Sequence, residues 1–117
     1  MRYFVYVDDI RDDDKFYFDY RAYTGKYWQP VIIRSYNEMI EFLNHILTHD
    51  EIFLDLDHDL GFDDDDNGNE RNGYEICKYV IANNINVVGF HIHSMNPVGA
   101  NNMRQLLTKF GIQEINI

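Results

Sequence analysis

Three short apolar runs in this sequence each end in residues that can hold a metal or move a proton. Arg2 to Val7 stops at Asp8-Asp9. Ile52 to Leu56 passes through Asp55 into Asp57-His58-Asp59, and Val87 to Ile92 stops at His93-Ser94 with Asn96 close behind. Carboxylates held within a few ångströms repel and raise each other's pKa. A hard divalent cation removes that repulsion, and Mg²⁺ suits a few carboxylates with waters left for a phosphate to replace. Asp8, Asp9 and Asp57 are therefore expected to hold Mg²⁺, with Mn²⁺ as the alternative. The bland reading of one or two of them is a cap on the following segment or a pair with Arg11.

His93 closes an apolar run, and an imidazole with an ordinary pKa of about 6.5 can give or take a proton near neutrality. His91 lies on the same strand face and reads as a hydrogen-bonded core residue. Ser94 has no base fixed by the sequence, so its hydroxyl suits a phosphate oxygen better than nucleophilic attack. Asn96-Pro97 reads as a turn. Gly99-Ala100-Asn101 then opens a helix whose free N–H groups suit an anion.

Rival motifs fail on spacing. Asp63, Asp65, Asn67 and Gly68 match the first positions of a calcium loop, but position 12 is Tyr74 and Glu75 comes one residue late. Asp55-Leu56-Asp57 is similar to the nucleophile motif of haloacid-dehalogenase-like phosphatases, which normally lies on the first strand of a larger domain. No P-loop, GxGxxG, nucleophile elbow or zinc spacing is present.

The elements that must position these residues alternate. Strands are expected over 2–7, 30–34, 52–57, 87–92 and 112–117, and helices over about 35–49, 73–83 and 98–110. Ser35 and Glu38 form a capping box. Tyr36, Met39, Ile40, Leu43 and Leu47 follow at helical spacing. Gly111 stops the last helix, at the position where only Gly takes the left-handed conformation cheaply. Residues 10–29 are polar and aromatic without clear helical period, and are read as a long loop with a hairpin near Thr24-Gly25. Alternating strands and helices imply a parallel sheet with right-handed crossovers. Ligands of such sheets sit at the carboxyl ends of the strands, where all three clusters would meet.

Composition narrows the function. The chain has 117 residues, one domain's worth, and is 45% hydrophobic, enough for a core. It has no run of about 18 apolar residues and no signal-peptide core. One cysteine, Cys77, excludes an internal disulfide framework and a multi-cysteine zinc site. A soluble cytoplasmic domain is the expectation. Residues 1–75 carry 19 acidic and 7 basic groups, net −12, and residues 76–117 carry a net +2. Binding along a nucleic-acid backbone needs Lys and Arg to displace counterions, so it is not expected. The runs Asp12–Asp14 and Asp63–Asp66 read as solvated faces.

With Asp8-Asp9, Asp57 and Ser94 at strand ends, the chain resembles the receiver domains of two-component signalling. It is closer still to their offshoot, the cyclic-phosphate-processing receiver-like family. The matching pieces are Val7 to Arg11, Leu56 to Gly61, Asn72-Gly73-Tyr74 and His93 to Gly99, running on to Asn102-Met103. The resemblance implies a single receiver-like (flavodoxin-like) three-layer α/β domain over residues 1–117. Its sheet would be five-stranded and parallel, in the order 2-1-3-4-5, with the first helix replaced by a loop. By position, Asp8 and Asp9 would hold the metal, Asp57 would be the phosphoacceptor and Ser94 the hydroxyl residue. A signalling receiver also carries a Lys at the end of its fifth strand, where this chain has Asn116-Ile117.

The site residues point to a metal-dependent phosphoesterase, and the resemblance implies that it opens or transfers a cyclic phosphate, on a nucleotide or an RNA 2′,3′-end, in settings such as RNA-end repair. Water or Asp57 would attack phosphorus, and His93 or His58 would protonate the leaving oxygen. Arg11, Asp59 and Asn96 would bind substrate, Arg11 through its guanidinium fork. Two other classes stay open: a non-catalytic module that senses a phosphate or a partner, and an acidic mimic of nucleic acid that inhibits by charge.

Overall fold

A computed structural model describes residues 1–61 and 71–117 of the chain. The calcium-loop candidates Asp63, Asp65, Asn67 and Gly68, and the whole run Asp63–Asp66, lie outside the described residues. The first four apolar runs become β1 (Arg2–Val7), β2 (Gln29–Ile33), β3 (Glu51–Leu56) and β4 (Val87–Ile92). They form one parallel sheet in the order β2-β1-β3-β4, the expected order for these four. The register sets Tyr6 beside Ile32 on one side and Asp55 on the other, and Asp55 beside His91.

Strand parity divides the core in two. Val5, Val7, Leu54, Leu56 and Phe90 pack against Met39, Ile76, Val80, Met103 and Leu107. Those partners lie on α2 (Tyr36–Leu43), α3 (Gly73–Ala82) and α4 (Pro97–Lys109). Phe4, Tyr6 and Phe53 face the other way, against Tyr17, Tyr20 and Trp28. The result is three layers, α/β/α, and the starts of α2, α3 and α4 are each capped by a side chain. Ser35 Oγ accepts from Glu38 N–H at 3.1 Å, Asn72 Oδ1 from Glu75 N–H at 3.2 Å, and Asn96 Oδ1 from Gly99 N–H at 3.0 Å. Gly111, at φ +82, closes α4 with a Schellman pair: its N–H donates to Thr108 O, and Ile112 N–H donates to Leu107 O.

Three expectations are corrected. The first helix is not replaced by a loop: α1 spans Lys15–Thr24, and Gly25 ends it in the left-handed conformation rather than turning a hairpin. Its inward face is built of Phe16, Tyr17 and Tyr20, so the helical spacing is carried by tyrosines that score as neither apolar nor polar. Tertiary bonds fix it, with Tyr17 OH donating to Trp28 O at 2.6 Å and Trp28 Nε1 to Thr24 Oγ1 at 3.0 Å.

The helix expected over 35–49 stops at Leu43. Leu47 is left 72% exposed in a turn where its N–H donates to the Asp50 carboxylate at 2.7 Å. The fifth strand is reduced to a single parallel bridge, Phe90 to Glu114. Past that bridge, side chains take over from the ladder. His91 Nδ1 lies 3.2 Å from Ile115 O, and Arg104 Nε donates to Glu114 at 2.8 Å. Among the described residues, no helix is long and apolar enough to cross a membrane.

Candidate active site

Asp8, Asp57 and His93 each stand one residue beyond their strand, and each is tied by its own N–H to the neighbouring strand. Asp8 N–H donates to Ile33 O at 3.0 Å, Asp57 N–H to Val7 O at 2.9 Å and His93 N–H to Leu56 O at 2.9 Å. The sheet's hydrogen bonding thus sets three reactive side chains in a row along its carboxyl edge. Their donor atoms lie within 4.8 Å of one another.

Asp8 is fully buried. Its Oδ1 accepts from the N–H groups of Ile10 (3.0 Å) and Arg11 (2.8 Å), while Oδ2 accepts from Arg11 Nε at 2.9 Å and lies 3.0 Å from His93 Nε2. Burial pushes the Asp8 pKa up, but the two backbone donors, His93 and Arg11 outweigh it, and the net shift is downward. Arg11 Nη2 reaches Asp57 Oδ2 at 3.4 Å, so one guanidinium spans both carboxylates. Asp57 Oδ1 accepts from His58 N–H at 2.8 Å.

The imidazole of His93 is held on three sides. Nδ1 lies 2.6 Å from Asp55 Oδ1, Nε2 faces Asp8, and the Tyr6 ring stacks on it at 4.7 Å between centroids. Burial alone would lower its pKa; the bonds to Asp55 and Asp8 win and raise it above the ordinary value. The Tyr6 hydroxyl, desolvated and close to Asp8 and Asp55, is pushed up to about 12 and stays protonated.

A second group sits beside the first. His58 Nδ1 is 2.8 Å from Asp59 Oδ1, and Asn96 Nδ2 is 3.4 Å from each of these atoms. The bond to His58 lowers the Asp59 pKa. The His58 ring lies against the first turn of α4 at Gly99, where an added Cβ would come within 2.3 Å of the ring. Ser94 Oγ accepts from Asn96 N–H at 3.1 Å, so this hydroxyl shapes the turn into α4. The structure therefore gathers Asp8, Asp57, His93 and Arg11 in one group, and His58, Asp59 and Asn96 in another.

Asp9 stands apart from the three clustered donors. It is half-buried, with its Oδ2 3.1 Å from where a Cβ on Gly61 would be. The donor set of Asp8, Asp57 and His93 fits a divalent cation: two carboxylates and an imidazole, which a cation would take over from Arg11 at both carboxylates and from the proton between His93 Nε2 and Asp8. Two contributors have no role in the expected site: Asp55, placed by the sequence in the cluster that ends the third strand, and Tyr6. For Asp55 the signal was present, since a carboxylate inside an apolar strand is costly to bury unless bonded.

Residues 3–109 match the family model described as the cyclic-phosphate processing receiver domain. No curated protein and no solved structure matches the chain.

Proposed function

Because the chain belongs to the family of cyclic-phosphate processing receiver domains, we propose that it is a metal-dependent phosphoesterase that opens a cyclic phosphate on a nucleotide or an RNA end. The observation that carries this reading is the pair of buried carboxylates, Asp8 and Asp57, on adjacent strand ends with one guanidinium across both. Asp8 and Asp57 would hold the cation, with His93 beside them. A bound divalent cation supplies the positive charge that lets a phosphate approach these carboxylates.

Arg11 is then free to turn its fork to a phosphate oxygen, for which its five donors are shaped. Asp57 orients the attacking water. As water bonds to phosphorus, one ester P–O bond of the ring breaks and the leaving oxygen needs a proton. His58 is better placed than His93 to supply it. Both ring nitrogens of His93 face carboxylates, whereas His58 is steadied through Nδ1 by Asp59 and its Nε2 has no hydrogen-bond partner among the described residues. The proton lost by water restores His58. Ser94 and Asn96 shape the loop that carries this donor.

The test is a phosphorus NMR screen over cyclic nucleotides and RNA 2′,3′-cyclic ends, with Mg²⁺ and then Mn²⁺. A cyclic resonance converted to a monoester, and lost in Asp57→Asn, is the expected result. Binding without conversion on every substrate would favour the phosphate-sensing module. Inhibition of a nucleic-acid-binding protein with neither binding nor turnover would favour the acidic mimic.

A further inference from the structure

Resting on the metal-bearing site just described, we infer that its third protein ligand is His93, aimed by Asp55, and that the site prefers transition ions such as Co²⁺ and Mn²⁺ to Mg²⁺. The acidic pair Asp8-Asp9 suggests an all-oxygen Mg²⁺ site. Instead, Asp9 stands outside the cluster, towards Gly61, and an imidazole joins Asp8 and Asp57.

The strongest support is what Asp55 does. It lies inside β3, is 2% exposed, and its carboxylate bonds to His93 Nδ1 at 2.6 Å. Burying a carboxylate in an apolar strand is costly, and a role in the site gives that cost a purpose. With Nδ1–H donated to Asp55, a cation that replaced the Nε2 proton would meet the Nε2 lone pair. A carboxylate behind a metal-bound histidine commonly acts this way, orienting the ring and raising its basicity. The Tyr6 stack and the bond from His93 N–H to Leu56 O hold the ring plane and the backbone. Nε2 is thereby aimed at Asp8 Oδ2, 3.0 Å away.

The spacing is nearly right without rearrangement. Metal–ligand bonds of about 2.1 Å place opposite ligands about 4.2 Å apart, and the three donor atoms already lie within 4.8 Å. Selectivity follows from ligand type: Mg²⁺ favours oxygen and keeps its waters, whereas imidazole adds affinity for first-row transition ions.

Pulsed EPR of the Mn²⁺-loaded protein reads this directly. The expected spectrum shows coupling to a directly bound ¹⁴N that changes to the ¹⁵N pattern when the wild-type protein is made with ¹⁵N-histidine. His93→Gln should lose the coupling and His58→Gln should keep it. In competition titrations, Co²⁺ should bind at least tenfold more tightly than Mg²⁺. Asp55→Asn should weaken Co²⁺ by about 10–100-fold while moving Mg²⁺ less than threefold.

A Mn²⁺ spectrum without nitrogen coupling, or equal affinity for Co²⁺ and Mg²⁺, overturns the inference even if the protein hydrolyses cyclic phosphates with Mg²⁺. Nitrogen coupling lost in His93→Gln, in a protein that turns over no cyclic phosphate, upholds the ligand assignment and removes the phosphoesterase reading instead. The labelled wild-type measurement stands even if His93→Gln fails to fold.

Discussion

His58 and His93 sit about the same carboxyl edge, and their partners give them different work. His58, with Nδ1 on Asp59 and Nε2 unpartnered among the described residues, is the proton donor in the mechanism we propose. His58→Ala should lose about 10²–10⁴-fold in rate, the range of general acid catalysis, and recover part of it on a substrate with a better leaving group. An unaltered rate would return the acid role to His93. For His93 the partners are buried carboxylates on both nitrogens, and in the metal-free protein they bind its proton more tightly than the unfolded chain does. Its charged form then contributes stability that is fully present below the unfolded value of about 6.5. That contribution is lost as pH rises through the higher folded value. Melting temperatures in EDTA should show wild type most ahead of His93→Gln at acid pH, with the gap closing above neutrality. A gap that widens with pH would contradict the assignment.

The helices contribute precision more than ligands. Asn96 caps α4 through Gly99 N–H and also touches His58 and Asp59, so one turn both starts a helix and seats the His58 ring. The approach of the His58 ring to Gly99 leaves no room for a methyl group. Gly99→Ala should cost about 1–3 kcal/mol, as overpacking generally does. It should also depress turnover like a His58 substitution, because the ring must move. Metal affinity should stay as in wild type, since Asp8, Asp57 and His93 hang from other elements. Denaturant melts, steady-state rates and a metal titration on one variant would test all three, and a collapse of metal binding would disprove the separation. Across the sheet, α1 supplies Tyr17 and Tyr20, whose rings close the layer around Phe4 and Phe53.

Charge acts at the scale of the whole molecule. The net charge is −10, and the sequence up to residue 75 carries more than all of it. Such a field repels a polyanion, and salt weakens it over a Debye length of about 10 Å at 0.1 M. For an RNA oligonucleotide ending in a cyclic phosphate, kcat/KM should rise as ionic strength increases from about 0.01 to 0.2 M. A cyclic mononucleotide should respond much less. Steady-state kinetics over that range decide it, and an RNA substrate handled best at low salt would contradict the argument.

The sequence by itself determined the alternation of elements and the meeting of Asp8, Asp57 and His93 at one edge, while the order of the strands was legible only through the family resemblance. The first two features are local. Apolar runs, the capping box at Ser35, and Gly111 act within a few residues of themselves, and a strand's direction dictates where its end lies. Only the tertiary structure decided that residues 15–24 are helical, because Phe16, Tyr17 and Tyr20 gain a reason to align only against Phe4 and Phe53. It also decided which acids turn inward. With helices on both faces of the sheet, apolar residues occupy both parities of every strand. No alternation therefore marked Asp8 and Asp55 as sharing a side with His93, or Asp9 as standing apart. The contact that aims His93 joins residues 38 apart in sequence, and a contact of that separation is made by packing alone.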